Sequence, residues 1–238
     1  MKIDLIGTGA IYSKYNSACT LLNEDMLVDV PNGALKQLLN SKHIPEKLDK
    51  ILITHMHGDH IADIPFLLMY MYKAKNVSRK TTIIGPISIE NKIKQLFKIY
   101  DYNLLEKIME YIQFIELDEN EVLENNNINY KIQPIPVIHG NEKPSYGYII
   151  DNKLGFTGDS SLCKGVENIV NKCEITIADS SNIVGDESHM GIDNLEYLIK
   201  KYNKTIIATH MKDETREELN VRKLNNIFVK EDGYKMEL

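Results

Sequence analysis

The stretch ILITHMHGDHIADIPFLL, Ile51–Leu68, places three histidines and an aspartate within the six residues His55–His60, directly behind a run of β-branched and aliphatic side chains. "DKILITH" predicts a strand that stops at the cluster. "IADIPFLLMYMYK" predicts a helix, with Pro65 tolerated in its first turn, where no intrahelical N–H is needed. His55 and His57 stand two apart on extended chain, so their rings can turn to one side. Gly58 then permits a sharp turn that lets Asp59 and His60 face a second position. Imidazole and carboxylate are donors suited to zinc at about 2.0–2.2 Å. Two such positions about 3.5–4 Å apart describe a two-metal hydrolytic site. The cluster therefore reads as part of a metal site whose remaining ligands lie elsewhere in the chain.

Three further residues qualify by their placement at strand ends. His139 closes "IPVIH", His210 closes "IIATH", and Asp159 closes the tight "GFTGD" turn, where its carboxylate is a candidate bridge between two ions. The lone His43, in "SKHIPEK", reads as an ordinary surface or satisfied core histidine.

The rest of the chain supplies the frame. Strand-like runs "KIDLIG", "SACTLLN" and "MLVDV" lead into a helical "ALKQLLNSK". "TTIIG" is a strand, and "ISIENKIKQLFKIYDYNLLEKIMEYI" is helix with a break near Asp101. "ENNNIN" is a loop. "NYKIQPIPVIHG", "SYGYIID" and "KLGFTGD" follow as consecutive strands, and then "GVENIVNK" (helix), "EITIADS" (strand), "GIDNLEYLIKKY" (helix) and "KTIIATH" (strand). "NIFVKEDGYKMEL" predicts a closing edge hairpin. Two β-rich halves with helices outside predict an α/β (α+β) fold, a four-layer αββα sandwich, as one domain over 1–238. A doubly wound sheet is disfavoured by the run of strands without intervening helices.

Composition narrows the function classes. A net charge of −6 over 238 residues argues against a protein wrapped in nucleic acid. No run approaches the ~20 apolar residues of a membrane span. Cys19, Cys163 and Cys173 form no Cys-x-x-Cys pair, and "MKIDLIGTGA" lacks a signal-like apolar segment, so we expect a cytoplasmic protein with reduced thiols acting as small buried side chains. "MYMYK" and "FKIYDY" read as packing surface, and "KDETREEL" as a solvated helix face.

"THMHGDH" with downstream His139, Asp159 and His210 resembles the metallo-β-lactamase-fold superfamily, and the likeness runs from "LIGTGA" and "LVDVPNG" to "IIATHM". It implies His55, His57 and His139 on one metal, Asp59, His60 and His210 on the other, and Asp159 bridging. "GDHIADIPFLL", "PSYGYIID" and "DESHMGIDNLEYLIKKYNKTIIATH" are similar to the ribonuclease Z group and its small phosphodiesterase relatives. That likeness implies a catalytic His189 near the leaving group, with Asp179 as its orienting acid. It also implies a metal-bridging hydroxide oriented by Asp59, on two divalent ions for which zinc is the default and manganese or iron are alternatives.

Ribonuclease Z carries a long tRNA-gripping arm between the positions of His139 and Asp159, where this chain has only "GNEKPSYGYIIDNKLGFTG". A small or nucleotide phosphodiester, a cyclic nucleotide among them, therefore fits better than structured RNA and tRNA 3′ cleavage. A carboxylic ester, lactone or thioester hydrolase is the alternative, and a non-catalytic metal-binding module is disfavoured by the intact ligand set. The resemblance also suggests a homodimer.

Overall fold

A computed structural model describes residues 1–74, 80–119, 121–125 and 127–238, apart from the side chain of residue 102. Asn126 of the expected "ENNNIN" loop and Tyr102 of "FKIYDY" thus fall, wholly or by side chain, outside what is described. The chain divides into two compact units, one built from Met1–Gly7, Asn16–Glu116 and Asp232–Leu238, the other from Thr8–Tyr15 and Leu117–Glu231.

The first unit opens with β1 (Lys2–Gly7), β2 (Cys19–Leu22) and β3 (Met26–Val28), then α1 (Ala34–Asn40), β4 (Lys50–Leu52), α2 (Gly58–Ile61), α3 (Ile64–Ala74), β5 (Thr81–Pro86), α4 (Ile89–Tyr100), α5 (Tyr102–Met109) and β6 (Ile112–Leu117). The second contains β7 (Leu123–Glu124), β8 (Lys131–Pro136), β9 (Tyr146–Ile150), β10 (Leu154–Phe156), α6 (Lys164–Lys172), β11 (Ile175–Asp179), α7 (Ile192–Tyr202), β12 (Thr205–Thr209), α8 (Asp213–Arg222) and β13 (Ile227–Val229). A final strand, β14 (Tyr234–Glu237), belongs to the first unit.

Each unit is organised around one seven-stranded sheet, in the orders β14-β1-β2-β3-β4-β5-β6 and β13-β12-β11-β10-β9-β8-β7. Both are mixed in the same way. β1, β2 and β3 form an antiparallel meander to which β4 and β5 add in parallel. β8, β9 and β10 form another, to which β11, β12 and β13 add in parallel. Parallel strands demand crossovers, and the helices supply them. Their apolar residues recur at helical spacing, with Ile89, Ile93 and Phe97 buried on α4 and Ile192, Leu195 and Leu198 on α7. These join buried strand residues such as Leu27, Ile51 and Ile83 in one unit and Ala178, Ile206 and Ala208 in the other. Each large aliphatic side chain so buried contributes about 1.5–3 kcal/mol.

Three expectations need correcting. The helix read through "MEYI" ends at Met109, and Ile112 begins β6. The closing segment is not a hairpin: β13 pairs in parallel with β12, while β14 pairs antiparallel with β1, so two consecutive strands serve different sheets. The "KDETREEL" helix face is not wholly solvated, since Thr215 and Arg216 are 0% and 3% exposed. Elsewhere the expected elements form with shifted ends: β8 stops at Pro136, three residues before His139, "IADIPFLLMYMYK" is divided between α2 and α3, and Glu124 of the expected loop "ENNNIN" lies in β7. Asp101 breaks the long helix, its carboxylate accepting from the Leu104 N–H at 3.1 Å.

Candidate functional site

Most candidate side chains follow the C-terminal ends of strands with a parallel neighbour, the position at which open α/β sheets present ligand-binding groups, whereas His139 follows the antiparallel β8 and His189 lies on the loop between β11 and α7. In the first unit, β3 ends at Val28 and β4 at Leu52, and the chain continues from each into Asp29 and Thr54–His60. Asp29 adopts φ 59, a left-handed conformation that turns the chain at the strand end, and its N–H donates to the Leu52 carbonyl at 2.9 Å. The Asp29 carboxylate accepts from the Thr54 N–H (2.9 Å) and the Thr54 hydroxyl (2.8 Å), and lies 2.8 Å from His60 Nδ1. Thr54 Oγ1, having given its proton to Asp29, accepts from His55 Nδ1 at 3.1 Å. One buried carboxylate thereby fixes two imidazoles in the Nδ1–H tautomer and turns both Nε2 atoms outward as lone-pair donors. His55 Nε2 stands 3.1 Å from His57 Nδ1, and His60 Nε2 stands 3.7 Å from Asp59 Oδ2.

In the second unit Asp159 follows Gly158, whose φ of 59 makes the tight turn after β10. Asp179 ends β11, and His210 follows β12 with its own left-handed φ of 53. Asp159 Oδ2 is 3.2 Å from His210 Nε2. Asp179 is fixed by the N–H groups of Ser160 and Ser181, each at 2.9 Å, and accepts from His189 Nδ1 at 2.8 Å. His189 lies flat against His210, with ring centroids 5.2 Å apart, and edge-on to His139 at 4.8 Å. Burial alone would lower the pKa of His189. The hydrogen bond and charge of Asp179, joined by the charges of Asp159 and Asp186, outweigh it and raise the pKa to about 9. His139 Nδ1 donates to the Ser188 carbonyl at 2.8 Å, which leaves its Nε2 as the donor atom.

His139 and His189 are thus tied to one loop, residues 182–191. The Asp186 carboxylate accepts from the N–H groups of Ser188 and His189 at 2.8 Å each, and from the Asn182 amide at 2.9 Å. Burial works against its charge, but these bonds outweigh it and hold Asp186 below its ordinary pKa. Gly191 is required where the loop closes, since a Cβ there would meet Gly185 N at 2.3 Å.

Whether these residues suit a metal can be judged from the donors themselves. Two ligands on one tetrahedral ion, each at about 2.0–2.1 Å, stand about 3.3 Å apart. The pairs His55 Nε2–His57 Nδ1 at 3.1 Å and His210 Nε2–Asp159 Oδ2 at 3.2 Å have that spacing. In the second unit, donor atoms of His139, Asp159 and His189, and likewise of Asp179, His189 and His210, lie within 4.8 Å of one another. The nitrogen and oxygen donors, with His55, His60 and His139 each tied at Nδ1 by a protein group, fit divalent metal.

The first unit thus groups His55, His57, Asp59 and His60, and the second groups His139, Asp159, Asp179, His189 and His210. His43 stays outside, with Nε2 3.3 Å from Asp4. Sequence reasoning missed Asp29, Thr54, Asn182, Asp186 and Ser188. Asp29, Thr54, Asp186 and Ser188 all lie in the noted "LVDVPNG", "THMHGDH" and "DESHMGIDNLEYLIKKYNKTIIATH", but nothing in those stretches singled them out from their neighbours.

Comparison with known proteins agrees with this picture. A family profile described as anti-Pycsar protein Apyc1 matches residues 1–234. Ribonuclease Z of Ligilactobacillus salivarius is 33% identical over 162 residues, 64% of this chain and 49% of that protein. The chain spans about half the length of the curated relatives it matches. Among solved structures, the metallo-β-lactamase fold protein YhfI from Bacillus subtilis is similar with a TM-score of 0.79 at 20% identity, covering 100% of this chain and 99% of that one. A diphosphatase from the PhnP family is similar with a TM-score of 0.77 at 20% identity, over 100% and 97%. The fold is therefore that of the metallo-β-lactamases, as the strand-end histidine motif led us to expect.

Proposed function

This chain belongs to the anti-Pycsar protein Apyc1 family, and from that premise we propose that it is a metal-dependent hydrolase of phosphodiester bonds in a small nucleotide or related ester. We assign His55, His57 and His139 to one divalent ion, Asp59, His60 and His210 to a second, and Asp159 to both. Zinc is the first choice for such donors. The ions, when bound, supply Lewis-acid polarisation of a phosphoryl oxygen and acidify a water at neutral pH.

The chain's own residues do the rest. Asp59 accepts a hydrogen bond from the attacking water and aims it. His189 gives its proton to the departing oxygen, and Asp179 keeps that proton available by stabilising the imidazolium. The observation that carries the reading is the geometry of this pair: His189 Nδ1 held at 2.8 Å by the fully buried Asp179 carboxylate, with the His189 ring stacked on His210. An alkoxide leaving phosphorus needs such an acid. Both the ribonuclease Z relative and the PhnP-family diphosphatase are named for cleavage at phosphorus. A small substrate is favoured because residues 140–158, between His139 and Asp159, hold only the short loop 140–145, β9, the turn 151–153 and β10. We take the chain to act as a cytoplasmic homodimer.

The zinc-loaded protein is expected to hydrolyse bis(p-nitrophenyl) phosphate and a cyclic mononucleotide, and to leave p-nitrophenyl acetate and a lactone nearly untouched. Turnover of the carboxylic substrates alone would overturn the proposal. His57→Ala and Asp159→Ala should remain folded while losing metal and on the order of 10²-fold or more in hydrolysis. Wild-type rates in either variant would remove it from the site.

A further inference from the structure

One buttress of the site runs through side chains that no step of the reaction uses. Lys212, two residues beyond His210, donates from Nζ to Asn182 Oδ1 at 2.7 Å. The Asn182 amide donates to Asp186 Oδ2 at 2.9 Å. Asp186 Oδ1 takes both the Ser188 and the His189 N–H at 2.8 Å. The Ser188 carbonyl, in turn, receives His139 Nδ1 at 2.8 Å. A single carboxylate thus fixes the backbone that presents His189 to Asp179 and the carbonyl that orients His139. The loop is framed further by Asp186 N to His189 O at 2.9 Å, Asn182 N to Met190 O at 3.1 Å and Gly140 N to Glu187 O at 3.2 Å.

The order of donors and acceptors along this chain is forced. Lysine can only donate, so Asn182 must turn its oxygen toward Lys212 and its NH2 toward position 186. Position 186 must then accept on one side from an amide and on the other from two backbone N–H groups. A carboxylate does both, whereas an asparagine there would set NH2 against NH2. Asp186 lies on the surface, so little burial depends on it. Its bonds converge instead on the two histidines.

We propose that Asp186 is a positioning residue, oriented by Lys212 through Asn182, which jointly sets His189 as proton donor and His139 as metal ligand. The roles of the two histidines rest on the function proposed above, but the positioning can be tested without it.

The test uses Asp186→Asn, Asp186→Ala, and the double variant Asn182→Asp with Asp186→Asn. In the double variant the polarity is restored. The carboxylate at 182 accepts from Lys212 and from the new amide, whose oxygen still accepts both N–H groups. The first readout is the imidazole NMR signals of His139 and His189 in metal-free protein. The second is Zn2+ affinity by competition with a chelating indicator. The third is kcat on phosphodiesters with an alkyl leaving group against those with p-nitrophenolate, which departs without an acid.

Each single variant should shift both histidine signals and weaken Zn2+ binding about 10–100-fold, the usual cost of losing support behind a ligand. It should also lose at least about tenfold more kcat on the alkyl leaving group than on p-nitrophenolate, the lower end of what a general acid contributes being larger still. The double variant should recover all three. Unchanged histidine signals and Zn2+ affinity in the single variants would overturn the inference, as would a double variant that is folded yet behaves like Asp186→Asn. A wild-type protein that cleaves no phosphodiester would defeat the proposed function instead, with the first two readouts still deciding this one.

Discussion

His189 keeps its proton to about pH 9 because Asp179 and two further carboxylates overcome the effect of burial. In metal-free protein its imidazole signals are expected to titrate near 9. In Asp179→Asn, where burial acts with less opposition, they should move sharply down. The folded pKa lies above the unfolded value of about 6.5, so the pair contributes its full stability below pH ~6.5 and loses it as pH rises through about 9. Denaturant midpoints at pH 6, 7.5 and 9.5 should show this decline in the wild type and a flatter profile in Asp179→Asn; parallel profiles would refute the pairing. The candidate ligands were legible because histidine is scarce and five of the seven fall in one motif or close a strand-like run, with His189 added only through the family resemblance. Asp29 and Asp186 were not, because a carboxylate at a turn is common whether it orients a histidine or merely shapes the backbone. Only the fold reveals what such a carboxylate receives.

At the level of elements, periodicity located the helices, and apolar runs located most strands. The failure at the C-terminal end is instructive. "KEDGYK" carries a hairpin signal in its Asp-Gly, yet strands on either side of it find their partners in β12 and β1, far away in sequence. Local turn chemistry cannot report such pairings. Helix α8 misled for a related reason, since its charge run hides two residues with interior roles, Thr215 and Arg216. Arg216 donates to the Lys230 carbonyl at 2.8 Å and to the Thr8 hydroxyl at 2.5 Å, and its guanidinium lies 3.8 Å from the centre of the Tyr15 ring. The helix start also holds the same loop, Asp213 accepting from the Ser13 hydroxyl at 2.6 Å. Arg216→Ala is expected to cost roughly 2–4 kcal/mol by removing these bonds and the ring contact together. Glu217→Ala, on the exposed side, should cost within about 0.5 kcal/mol. Equal denaturant midpoints for the two variants would contradict the burial described.

For the whole molecule, the decisive regularity is that both units repeat one plan: an antiparallel meander, then parallel strands, with most of the candidate side chains just beyond strand ends. The two-ion assignment proposed above predicts two metal equivalents per chain by elemental analysis. Metal binds the folded state alone, so a chelator should lower the melting temperature and His210→Ala should lower both metal content and Tm. A single equivalent in the active protein would reduce the site to one ion.

The pairing of β1 with β14 brings Lys2 opposite Glu237, and the Leu238 N–H donates to the Met1 carbonyl at 2.9 Å. Every residue of the second unit lies on the loop which that ladder closes. Loop-closure entropy grows with the span enclosed, so this ladder carries a larger ordering cost than the tight β2–β3 connection beside it. The outer strand of the first sheet thereby lengthens the average separation of contacting residues, a property that accompanies slow folding.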